Sequence, residues 1–125
     1  FLDDFDGYGA YIWFEEGMAE YISRKYFFTD EEFRVEKACN QSLVELFQKK
    51  HGWHLLNDFG TSTYKGNYAS IFYEYWRSFL TVDKLVENLG SVQAVFNSYH
   101  RWANTDKTLP LLDWFIQQKI IDKEI

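Results

Sequence analysis

Apolar residues recur at three- and four-residue spacing through almost the whole chain, and that period decides the fold class before any single residue is considered. It is cleanest between Tyr68 and Leu80, where Tyr68, Ile71, Phe72, Tyr75, Trp76, Phe79 and Leu80 fall at i, i+3, i+4, i+7, i+8, i+11 and i+12. The alternation that a half-buried strand requires is missing. One proline and seven glycines in 125 residues leave few places where a helix must break. These features predict an all-α fold: a single domain over residues 1–125 built as a bundle of five or six helices.

Capping signals divide the bundle. A first helix is expected over residues 8–26, after the loose Gly7/Gly9 entry. Thr29-Asp30-Glu31-Glu32 reads as a capping box, in which the Thr29 hydroxyl and the Glu32 carboxylate each satisfy an orphan backbone N–H. The helix it starts should fade at Lys49-Lys50. Residues 51–67 (HGWHLLNDFGTSTYKGN) read as a long connection. The Tyr68–Leu80 helix either continues or restarts toward Leu89, Gly90 suits the position just past a helix end, and Ser91 is placed to cap the next helix. LPLLDWFIQQKII predicts a last helix with Pro110 in its first turn.

Composition narrows the function classes. The 19 acidic and 13 basic residues leave a net charge of −6, and the densest basic pairs are Arg24-Lys25 and Lys49-Lys50, which argues against nucleic acid. No run reaches the roughly 20 apolar residues of a transmembrane helix. Cys39 cannot form an intramolecular disulfide, excludes a thiolate zinc cluster, and is expected as a buried thiol in the apolar phase of its helix. The only methionine is Met18, so the chain is expected to be a piece of a longer protein.

The stretch most informative about chemistry is WFEEGMAEY, Trp13 to Tyr21, which sets acids and a glycine inside an apolar helix. Glycine there costs about 1 kcal/mol relative to alanine, a cost that makes sense if something approaches the backbone closely. Glu16 and Glu20, at i and i+4, share one face. Carboxylates on a partly buried surface lose hydration and repel, so they call for a cation or a donor nearby. The plain structural alternative is a solvated acidic face with Glu20 and Arg24 as an i, i+4 ion pair.

WFEEGMAEY also resembles the Trp-x-x-Glu-Gly-x-Ala-Glu-Tyr stretch of gluzincin-type zinc metallopeptidases, the peptidase MA-like group that includes aminopeptidase N. The resemblance implies that Glu16 is the third zinc ligand and that Glu20, one turn later, orients a zinc-bound histidine as an outer partner. In that family two imidazoles and one carboxylate leave an open zinc position where a water is acidified and a peptide carbonyl polarised. The pattern departs in one respect: no His-Glu-x-x-His occurs in the chain, whose histidines are His51, His54 and His100. His51-Gly-Trp-His54 has no glutamate where the base belongs and reads as a loop pair. The His-Glu-x-x-His helix is therefore expected upstream, in the same parent chain. The zinc and the peptide substrate are then expected in the parent, with no zinc in this piece.

A second match involves a tyrosine ahead of an aromatic helix. Aligned on Ala69, Tyr64 takes the place of the family tyrosine that stabilises the tetrahedral oxyanion, and Tyr68 is its rival. From a different class, the same composition also fits a non-enzymatic helical interaction module whose aromatic groove binds a partner.

Overall fold

The computed structural model describes residues 12–51 and 68–122, and within them the chain is all-helical, with no strand. Five helices follow in order: α1 Ile12–Phe27, α2 Asp30–His51, α3 Tyr68–Leu89, α4 Val92–Ala103 and α5 Leu111–Gln117. Of the expected first helix, residues 8–11 lie outside the described residues, as does most of the 51–67 connection.

The caps form as the sequence chemistry requires. Thr29 N–H donates to Glu32 Oε1 at 2.9 Å and Glu32 N–H donates to Thr29 Oγ1 at 3.1 Å, both halves of the capping box. Ser91 Oγ accepts from Ala94 N–H at 3.1 Å, and Gly90 ends α3 at φ +100°, the left-handed conformation that terminates a helix at low cost to glycine. α3 runs through to Leu89 without a restart. α5 is shorter than LPLLDWFIQQKII suggested: Pro110 is its N-cap, and Lys119 at φ +61° follows its end.

α3 is the central element. α1 packs against it most extensively, α2 next, and α4 more lightly. α2 and α3 run antiparallel, since early Lys37 reaches late Asp83 and late Gln48 reaches early Tyr73. Phe33, Asn40, Val44 and Phe47 turn toward α3, and Phe47 stacks on Tyr73 at 4.2 Å between ring centroids. Tyr21, Phe33 and Phe79 form a three-helix aromatic contact at 5.6–6.4 Å. A second cluster closes the other end: Trp13 and Phe14 meet Tyr99 of α4 and Phe115 of α5. Each such ring, fully withdrawn from water, contributes about 1.5–3 kcal/mol.

Two expectations need correction. Cys39 is exposed, because the buried stripe of α2 steps from Phe33 through Asn40 to Val44 and Phe47, leaving Cys39 about 100° off the face that meets α3. The Tyr68–Leu80 stripe is also not the buried face throughout. Phe72 is 53% exposed, while Tyr73, Arg77, Ser78 and Thr81 are buried. Because α3 is covered from several sides, polar positions also go inside: the Thr81 hydroxyl donates to the Arg77 carbonyl at 2.8 Å, while Ser78 Oγ has no hydrogen-bond partner among the described residues.

Candidate functional site

WFEEGMAEY divides into a packing half and an acidic half. Trp13, Phe14, Gly17, Met18 and Tyr21 are buried, at the i, i+1, i+4, i+5 and i+8 positions of a helix face turned to the core. Glu15, Glu16 and Glu20 remain half-buried. Gly17 sits where α1 crosses α3: a Cβ there would stand 2.5 Å from the Ser78 carbonyl oxygen and 2.7 Å from Val82 Cγ2. The close approach that the glycine permits is thus to the backbone of α3.

Glu16 lines an open groove of about 530 Å3 between α1 and α3, with Glu20 and Arg24 on its own helix and Phe72, Tyr75 and Trp76 opposite. Phe72 and Trp76 stack at 6.1 Å and form the aromatic wall. Burial pushes the Glu16 carboxyl above its ordinary range, and the charges of Glu15 and then Glu20 push the same way. Among the described residues no ion pair reaches Glu16.

Glu20 differs. Arg24 Nη1 pairs with Glu20 Oε2, and Arg24 Nε donates to Glu36 Oε1 of α2 at 3.2 Å. The same guanidinium lies 4.6 Å from the centroid of Phe79 on α3, so one side chain touches all three of the first helices. Asn40 Nδ2 adds a 3.0 Å bond to Glu36 Oε1 and fixes the far end. The i, i+4 pair was readable in the sequence, but the reach to Glu36 was not, because it depends on how α1 and α2 cross.

Of the other predicted residues, Tyr64 and His54 lie outside the described residues. Tyr68 is the first residue of α3 and His51 the last of α2. His100 is exposed on α4, its ring edge-on to Tyr99 at 5.4 Å. Among the described residues no three of His, Cys, Asp and Glu come together as a metal-holding group.

On the opposite side of α1, Glu15 lines a second groove of about 440 Å3 with Met18, Ala19, Ile22, Tyr26, Phe27 and Phe96 of α4. Tyr26 is 81% exposed and Phe27 74%. Sequence reasoning did not single out this groove, although the aromatic run Tyr26-Phe27-Phe28 just past the basic pair signalled it.

No helix of the described residues is long and apolar enough to cross a membrane. Comparison with protein-family models, with curated proteins and with solved structures returns no match for the chain.

Proposed function

We propose that this chain supplies the third zinc ligand, Glu16, and one wall of the substrate cleft of a gluzincin-like metallopeptidase, with the two histidine ligands on a His-Glu-x-x-His helix outside these 125 residues. The observation that carries the reading is the state of Glu16 within the motif it shares with that family. It is the carboxylate that lines the groove without an ion pair among the described residues, partly stripped of water, which is the environment a cation relieves. Bound there, zinc would polarise a peptide carbonyl and acidify a water. Phe72, Tyr75 and Trp76 would form the wall that receives the peptide. Tyr64 or Tyr68 would donate to the oxyanion, and Glu20 would act one layer out. Alone, the chain hydrolyses no peptide.

The test is the zinc content and peptide hydrolysis of a longer polypeptide that includes the segment before Phe1. Glu16→Gln should abolish stoichiometric zinc while Glu15→Gln keeps it. Tyr→Phe at the correct one of positions 64 and 68 should lower kcat about 10²–10³-fold with zinc retained. An upstream segment without His-Glu-x-x-His, or full zinc loading by the Glu16→Gln variant, sinks the proposal.

A second reading has its own support: the groove between α1 and α4 with its exposed Tyr26 and Phe27 suits an interaction module that receives an apolar helix. Tyr26→Asp, which leaves the Glu16 groove intact, separates the two, because it should remove partner binding and leave zinc unchanged.

A further inference from the structure

One side of α2 is explained by the fold: Phe33, Asn40, Val44 and Phe47 are buried toward α3. The opposite side carries Glu31, Val35, Ser42, Leu46 and Lys49, which at 100° per residue fall within about 60° of one another around the helix. Val35 is 60% exposed and Leu46 62%, and Cys39 and Ser42 between them are exposed as well. The charges along this face have a definite order: Glu31, then Arg34, then Glu45, then Lys49, all of them exposed. The helix dipole accounts for an acid first and a base last, but not for Arg34 and Glu45, whose signs run against it. Within one chain this order gains little. Arg34 pairs with Glu31 on the surface, where solvent screens the pair, and Lys49 has no ion pair among the described residues.

The order is complementary to itself when reversed. With a second α2 laid antiparallel at the level of Asn40 and Gln41, Glu31 faces Lys49 of the second copy and Arg34 faces Glu45 of the second copy, each twice. The same register sets Val35 against Leu46 of the second copy, and the short side chains of Cys39 and Ser42 let the helices approach between them. A parallel pair would set every one of these charges against its own kind. We infer that the outer face of α2 is a self-association surface, which joins two copies of this chain as an antiparallel, isologous dimer. A single helix face is at the small end of protein interfaces, so the dimer is a weak one. The inference is independent of the zinc reading, which concerns the far side of α1.

Sedimentation equilibrium of the 125-residue chain between about 10 μM and 1 mM tests it, with appreciable dimer expected at about 0.1 mM. The Cys39 thiol, exposed in the single chain, should react with iodoacetamide more slowly in step with the dimer fraction. Leu46→Asp should raise the dissociation constant about tenfold or more, since an isologous interface carries each substitution twice. Lys49→Glu and Glu31→Lys should each weaken self-association about fivefold in low salt, and their equimolar mixture should associate as the original chain does, because each variant then meets the opposite charge. A parallel pair would not respond to either single substitution in this way, since like already faces like. Circular dichroism verifies the fold of the variants, and Leu46→Ser carries the same expectation as Leu46→Asp should the latter not fold. A chain that stays monomeric at about 1 mM overturns the inference, as does association that leaves Cys39 fully reactive. So does association that Tyr26→Asp removes and Leu46→Asp does not, which would place the contact at the α1/α4 groove.

Discussion

Replacing Gly17 with alanine should destabilise the protein even though it improves the helix. In an open α-helix the substitution gains about 1 kcal/mol, because glycine gives up the most backbone freedom on folding. At this position the new Cβ would meet the Ser78 carbonyl oxygen at 2.5 Å, Val82 Cγ2 at 2.7 Å and the Ser78 carbonyl carbon at 2.9 Å. The valine methyl can rotate aside, but the carbonyl belongs to the backbone of α3 and cannot move without shifting the helix. Overpacking of this kind costs about 1–3 kcal/mol, and contact with backbone places it in the upper part of that range. The expected net loss is about 1–2 kcal/mol, or roughly 3–12 °C in Tm for a domain of this size. Urea denaturation followed at 222 nm measures it. Ala19→Gly, on the exposed side of the same helix, is the control: it should lose about 1 kcal/mol from propensity alone. A Gly17→Ala protein as stable as the original or more so would mean that α1 and α3 do not cross as closely as the backbone distances require.

Two further outcomes follow from the charges. Glu16→Gln should stabilise the domain at pH 7: the folded Glu16 carboxyl titrates above its ordinary value of 4.5, so its ionisation opposes folding. The advantage of glutamine should shrink as pH falls through the raised folded value and vanish below 4.5, and urea midpoints that differ equally at pH 7 and pH 4 would refute the assignment. Lys37→Met should cost about 1–3 kcal/mol by stripping the buried Asp83 of its 2.7 Å partner, with Asp83→Asn in the same chain restoring most of the loss. The bond to Asp83 holds the Lys37 ammonium above its ordinary value of 10.5, so the pair's contribution is present below that pH and is lost as pH rises through the folded value, an alkaline step that Lys37→Met should lack.

What could be read from the sequence was what is local. Thr29, Glu32, Gly90 and Ser91 act through neighbours three or four residues away, so their chemistry announces itself without a fold. The helical class also followed, since the three- and four-residue apolar spacing runs through almost the whole chain. Cys39 and Phe72 went the other way because periodicity finds the widest apolar face and not the direction of a neighbour, which turns by about 100° for each residue of error. The burial of Arg77, Ser78 and Thr81 was illegible for a related reason: which sides of α3 are covered is decided by the neighbouring helices and not by the polarity of these residues, and the Thr81 hydroxyl is satisfied within its own helix by the Arg77 carbonyl. At the groove, the sequence singled out Glu16 and Glu20 and offered the i, i+4 pair of Glu20 with Arg24, which forms. The contact of Arg24 to Glu36, twelve residues away, was not legible, because it depends on how α1 and α2 cross.

A helix covered by α1, α2 and α4 at once has a kinetic consequence. Phe79 meets Tyr21 of α1 and Phe33 of α2 at once, so the departure of either neighbour leaves the other in place. The amides of this part of α3 should exchange with deuterium only when the whole domain opens, at the rate set by global stability. The amides of the exposed last turn of α1, around Tyr26 and Phe27, have no such cover and should exchange through small local openings, so that one short protein carries a slow and a fast clock of its own opening.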